Sequence, residues 1–122
     1  MIIVDTSIWI DHLHDGEPAM AALLDENLVL MHPFVLGEIA LGSLRNWQKM
    51  MTDLSKMPLA TRADDADVMR LIHGHQLQGT GIGFVDAHLL ASAMITDETL
   101  IWTRDRRLSA VAARLGLDAS SD

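Results

Sequence analysis

The stretch Met1-Ile2-Ile3-Val4-Asp5-Thr6-Ser7 decides the fold class. Four apolar residues, three of them β-branched, run without polar alternation, as in a short strand buried on both faces. Asp5-Thr6-Ser7 then supplies the residue types that cap a helix N-terminus. A buried strand running straight into a helix is the opening of a β-α unit, and the alternation recurs. Residues 28–31 read as a second apolar strand, Pro58-Leu59-Ala60 as a candidate short strand, and residues 100–103 as a last one. Between them, helical patterns cover residues 7–14, a segment opened by Pro18, and residues 33–44, 46–57, 64–78, 84–95 and 105–115. Pro18 and Pro33 sit where a first turn tolerates proline, and Gly116 suits a helix C-cap. The expected fold is therefore α/β: one domain, a three-layer α/β/α sandwich, with a mainly parallel sheet of about four or five short strands. The domain is expected to span residues 1–118, with residues 119–122 a flexible C-terminal tail.

The composition suits a cored, single domain: 122 residues, 49% of them hydrophobic. There is no cysteine, which removes thiol nucleophiles, thiolate metal sites and disulfides from consideration. Residues 1–5 carry no basic segment, so no signal peptide is expected, and no apolar run approaches the ~18 residues of a membrane helix. These features fit a cytoplasmic location. The net charge of -8 opposes nucleic-acid binding through the overall field. Bound divalent cations would reverse that charge locally, and Arg104, Arg106 and Arg107 cluster in sequence. Alternatively, the acidity simply maintains solubility.

Within this frame, acids fall at telling positions. Asp5 and Asp105 follow strands closely, at the carboxyl rim where ligands of open α/β sheets bind. Asp86 lies in the first turn of a helix fed by the loop Gly79-Thr80-Gly81-Ile82-Gly83, so it can face the same rim. Glu38 falls inside a helix with Phe34 and Leu41 on its own face, an apolar setting that calls for a partner such as a metal ion. Each acid also has a plain structural role open to it. Asp5 and Asp105 suit N-caps, Asp86 suits a helix N-terminus, and Glu38 can reach water or Arg45. The joint arrangement favours a hard-cation site, because carboxylate oxygens select Mg²⁺ or Mn²⁺ and repel one another without a cation.

Other features carry less chemistry. His12/His14 and His73/His75 are spaced two apart, so on helices they do not converge as zinc ligands. The glycine loop lacks the lysine and spacing of a P-loop and reads as a connector that shapes a groove. Trp47, Met50, Met51 and Leu54 form an amphipathic stripe that suits either core or an adaptable interface.

The segments Met1-Ile2-Ile3-Val4-Asp5-Thr6-Ser7, Gly37-Glu38-Ile39-Ala40, Asp86-Ala87-His88-Leu89-Leu90-Ala91-Ser92-Ala93 and Trp102-Thr103-Arg104-Asp105 resemble, in order, the motifs of PIN-domain ribonucleases, and most closely those of VapC-type toxins. The resemblance covers essentially the whole chain. It implies a PIN-like fold and a metal-dependent endoribonuclease that hydrolyses RNA phosphodiester bonds with a metal-activated water, as the toxin of a toxin–antitoxin pair. It aligns Asp5, Glu38, Asp86 and Asp105 with the family's catalytic, metal-binding acids, with Mg²⁺ or Mn²⁺ as cofactor. Asp5 and Asp86 are the expected direct ligands, and Glu38 and Asp105 ligands or orienters of water. It suggests substrate-side hydroxyls at Ser7 and Thr103, while Arg104 and Arg106 are candidate contacts for RNA phosphates. The implied partners are RNA, a VapB-like antitoxin and a second copy of the chain in a homodimer. His88 departs from the small or aliphatic residue of many relatives; helix packing or a surface role is expected of it. The alternative is a catalytically silent PIN-like module that binds RNA or protein. An aspartate-based phosphatase is disfavoured, since its pattern wants an aspartate two residues after Asp5 and Ser7 stands there.

Overall fold

A computed structural model describes residues 1–119. Its elements are β1 (Ile2–Val4), α1 (Thr6–Asp15), α2 (Pro18–Asp25), β2 (Val29–Leu30), α3 (Pro33–Ala40), α4 (Trp47–Leu54), α5 (Asp65–His75), α6 (Phe84–Ile95), β3 (Leu100–Trp102) and α7 (Arg106–Arg114). The sheet order is β2-β1-β3, with both pairings parallel. β1 is central, with Ile3 opposite Leu30 on one side and Ile101 on the other. Ile3 and Val4 point to opposite faces of the strand and are both fully buried, so the sheet is covered on both faces. This is the α/β architecture expected from the uninterrupted apolar run.

The sheet has three strands among the described residues, fewer than the four or five expected. Single parallel bridges extend it at each edge, Met31 to Leu59 and Ile101 to Asp118. Pro58 cannot donate a ladder hydrogen bond, although its carbonyl accepts from the Met31 N–H at 2.8 Å. The proposed strand around Leu59 is thus reduced to one bridge. On the other edge, the Ile101 N–H donates to Leu117 O at 2.7 Å and the Ala119 N–H to Ile101 O at 2.8 Å. Of the tail expected from Ala119 onward, residues 120–122 lie outside the described residues.

Helix starts follow local chemistry. Asp5, His32, Asp64 and Asp105 each accept a backbone N–H at their helix N-termini, and Asp64 and Asp67 form a reciprocal capping box. Helix α3 stops at Ala40, short of the expected residue 44, where the Gly42 N–H turns back to Ile39 O at 3.0 Å. Helix α6 fits its sequence reading most closely: residues 87–93 are all buried, so it is the central helix of the core. No helix among the described residues is long and apolar enough to cross a membrane.

Candidate active site

The carboxyl ends of β1 and β3 lie side by side, since the Asp5 N–H donates to Trp102 O at 2.9 Å. This pairing brings Asp5 and Asp105 together from opposite ends of the chain. Thr103, 3% exposed, stands between them. Its hydroxyl donates to Asp5 Oδ2 at 2.6 Å and accepts from the Asp105 N–H at 3.0 Å. Asp5 Oδ1 accepts from the Thr6 N–H at 2.8 Å, and Asp105 Oδ1 caps α7 through the Leu108 N–H at 2.9 Å. The capping roles open to both acids are therefore real, and they leave Asp105 Oδ2 without a hydrogen bond among the described residues. Thr103, expected to contact substrate, is a buried bridge between Asp5 and Asp105.

Glu38 and Asp86 arrive on helices. The Thr6 hydroxyl donates to Glu38 Oε1 at 2.6 Å, which ties α3 to the first turn of α1. Glu38 is exposed, and Leu41 on the same face is 90% exposed. The expectation of an apolar, buried face around Glu38 is thus corrected: α3 buries Val35 and Ile39, Phe34 is half-buried, and Glu38 and Leu41 face solvent. Thr6, which the sequence did not single out, is its partner rather than Arg45. Asp86 Oδ2 accepts from the Gly83 N–H at 3.2 Å, in the first turn of α6. Burial raises the Asp86 pKa above the usual carboxylate range; the Gly83 N–H opposes this, and the charges of Asp5, Asp105 and Glu38 add to the rise.

Asp5, Asp105 and Glu38 therefore each lie within electrostatic reach of Asp86. Their chemistry fits a hard divalent cation, as every donor is a carboxylate. Asp86 Oδ1, Asp105 Oδ2 and Glu38 Oε2 make no hydrogen bond among the described residues. As they stand, no three acids among those residues are gathered tightly enough to hold an ion.

Behind the helix-borne acids lies a buried polar and aromatic clamp. His32 is fully buried; its Nδ1 accepts from the Phe34 N–H at 3.0 Å, so Nε2 carries the proton and faces Ser92 Oγ on α6 at 3.0 Å. Burial, assisted by His88 and Arg62, lowers the His32 pKa to about 4. His88, also fully buried, packs edge-on to Phe34 and Phe84 with ring centroids 4.7 and 4.8 Å away. Its Nε2 lies 3.2 Å from Asp65 Oδ1 but off the angle of a hydrogen bond. Of the two roles expected for His88, the structure gives it the packing one. The clamp joins α3, which carries Glu38, to α6, which carries Asp86. His32 was missed, although a polar side chain immediately before Pro33 at a helix start is a legible N-cap signal.

The remaining candidates divide. Ser7 is exposed in the first turn of α1. Arg104 pairs with Asp11 at 2.7 Å and with Glu17, and its guanidinium lies 6.0 Å from the Trp102 ring centroid. It is engaged with carboxylates outside the acidic group. Arg106 is exposed at the start of α7 and makes no ion pair among the described residues.

The PIN domain family model matches residues 2–114. The chain belongs to the PIN-domain family. It is 38% identical over 120 residues to a protein named Ribonuclease VapC32 from Mycobacterium tuberculosis, strain CDC 1551 / Oshkosh, covering 96% of this chain and 94% of the relative. The protein of the same name from strain ATCC 25618 / H37Rv matches over the same span at the same identity. The matched span takes in all four acids, Thr103 and the strands that place them, so the PIN-domain expectation and its VapC-type likeness both hold.

Proposed function

We propose that this chain is a divalent-metal-dependent endoribonuclease, acting as the toxin of a toxin–antitoxin pair in the cytoplasm. The reading is supported above all by Asp5 and Asp105, tied together at the strand ends through Thr103 with Asp86 in electrostatic reach of both and of Glu38, in a PIN-domain chain similar to proteins named as ribonucleases. Asp5, Asp86, Asp105 and Glu38 would hold Mg²⁺ or Mn²⁺, with Asp5 and Asp86 in direct contact. The cation, when bound, supplies positive charge for the attacking water and the departing oxygen of a phosphodiester. The chain's own contribution is orientation. Thr103 fixes Asp5 and Asp105 relative to each other, Thr6 holds Glu38, and the Gly83 N–H holds Asp86. The pKa of Asp86 is raised by burial, so acidification competes with the cation there.

Ser7 and Arg106 are exposed beside this group and available to substrate; Arg104 contributes through the position of the strand end it borders. An acidic site also suits a VapB-like antitoxin that inserts a basic side chain. The homodimer belongs to this proposal, with exposed Leu41 and Trp47 on the adjoining α3–α4 region as apolar surface for a partner.

The test is cleavage of structured RNA by the purified chain, free of antitoxin, with and without Mg²⁺ or Mn²⁺. Cleavage that stops in EDTA and falls on the order of a thousandfold in Asp86→Asn, about 4 kcal/mol of transition-state stabilisation, is expected. Full activity in EDTA or in Asp86→Asn overturns the mechanism. Tight RNA binding without metal-dependent cutting would establish the silent binding module instead.

A further inference from the structure

In a chain with a net charge of -8, the basic residues are the scarce ones, nine in all. Three of them, Arg106, Arg107 and Arg114, lie on α7, which contains no acid over Arg106–Arg114. The same three line one groove of about 390 Å³, together with Thr80, Ala110 and Val111. None of the three makes an ion pair with a carboxylate among the described residues, in contrast to Arg104 and Arg70. Arg114 donates only to a neutral acceptor, the His75 carbonyl, at 2.6 Å. A row of uncompensated guanidinium groups in a strongly acidic protein is complementary to a polyanion.

The groove is also joined to the acids. Its helix begins at Asp105, which caps α7. Across from the helix it is lined by Thr80, in the glycine loop whose Gly83 N–H holds Asp86. Gly81 has a φ of +86°, and a Cβ there would lie 2.7 Å from Arg107 Cδ. The loop thus brings its bare backbone against the Arg107 side chain, its guanidinium included, and Arg106, Arg107 and Arg114 line the groove. Arg107 and Arg114 are seven residues apart on one helical face, about 10 Å along the axis at ~1.5 Å per residue.

We propose that the α7–glycine-loop groove is the track on which the RNA backbone leaves the acidic site, with Arg106, Arg107 and Arg114 bonding successive phosphates. This rests on the ribonuclease reading and assigns the path of its substrate. Phosphate contacts of this kind fix position without reading sequence, so the track accepts any single strand, and the choice of cleavage point lies elsewhere.

The test is binding of a fluorescent twelve-nucleotide single-stranded RNA to the full chain in EDTA across a salt series, for wild type and the Arg107→Gln/Arg114→Gln pair. Single-strand binding weakens with a log–log salt slope of about -0.7 per phosphate contact, so losing two contacts flattens the slope by about 1.4. Affinity at low salt falls on the order of tenfold, with similar effects on two unrelated RNA sequences. The Arg107→Lys/Arg114→Lys pair keeps the charges and is expected to retain most of the slope, which separates lost charge from lost folding. Wild type and the glutamine pair binding with the same slope would overturn the track and leave the nuclease reading standing. Failure of the wild-type chain to bind RNA at all in EDTA would overturn the track, while the metal-dependent nuclease reading stands or falls by the cleavage assay. An unchanged RNA slope, with loss of binding to an oligoglutamate peptide, would make the row a protein-docking surface and also overturn the track.

Discussion

The two halves of the acidic site are built by different means. Asp5 and Asp105 stand at the ends of neighbouring parallel strands, and one buried hydroxyl, Thr103, bonds to both residues. Glu38 and Asp86 stand on helices, and their relative placement depends on the His32–Ser92 contact and the Phe34–His88–Phe84 stack. The strand half is set by backbone register, since a one-residue slip would flip every strand side chain to the opposite face and unseat the packing on both. The helix half is set by side-chain packing, which has more ways to relax. The first should therefore fail sharply, through lost orientation, and the second gradually, through stability.

Replacing Thr103 with valine gives the largest effect on this contrast. It keeps the shape, removes the donor to Asp5 and leaves the Asp105 N–H without its acceptor. Cleavage is expected to fall roughly 10–100-fold, as for other supports of metal-binding carboxylates, with a loss of about 1–3 kcal/mol in urea unfolding. Thr103→Ser should recover most of the activity. A valine variant as active as wild type would remove Thr103 from the site's architecture.

The helix half is tested through pH. His32 is neutral in the fold because its pKa is lowered from 6.5 to about 4, whereas the unfolded chain takes up a proton near 6.5. The stability this group contributes is complete above about pH 6.5 and is lost as the pH falls toward 4. Urea unfolding at pH 7 and pH 5 should differ by about 2 kcal/mol more in wild type than in His32→Asn, which cannot titrate. Equal pH dependence in the two proteins would show that His32 is not held neutral by the clamp.

The smallest effect is expected at Arg104. Its ion pairs with Asp11 and Glu17 are largely exposed, so Arg104→Gln should cost less than about 1 kcal/mol. Its effect on RNA affinity should be smaller than that of Arg107→Gln or Arg114→Gln, measured in the same salt series. A larger loss at Arg104 would mean that its carboxylate partners yield to phosphate.

The sequence made the strand half easier to read. An apolar run ending in Asp-Thr-Ser states its burial, direction and termination locally, and Trp102-Thr103-Arg104-Asp105 repeats the logic at β3. The helix half was legible as positions but not as surroundings. Phe34, Glu38 and Leu41 share a helical face, which suggested burial; whether that face meets the core or solvent depends on how α3 lies against α1 and α6, a tertiary fact outside any local period. His32 and Ser92 are sixty positions apart, so their contact has no local signature. The edge bridge at Asp118 escaped for a related reason, since one residue pair leaves no periodic trace, whereas the bridge at Leu59 falls where a short strand was expected. Arg104, beside Asp105 in sequence, points to Asp11 and Glu17, while Arg107 and Arg114 line the groove along the helix that Asp105 caps.

Calorimetric titration of Mn²⁺ into the wild-type chain, Asp5→Asn, Asp86→Asn and the double variant tests whether the two halves serve one centre. If they share an ion, wild type binds Mn²⁺, each single variant binds at least about tenfold more weakly, and the double variant is scarcely worse than either single one. Absence of Mn²⁺ binding in wild type, or wild-type affinity in both single variants, would contradict a divalent-metal centre built from these acids.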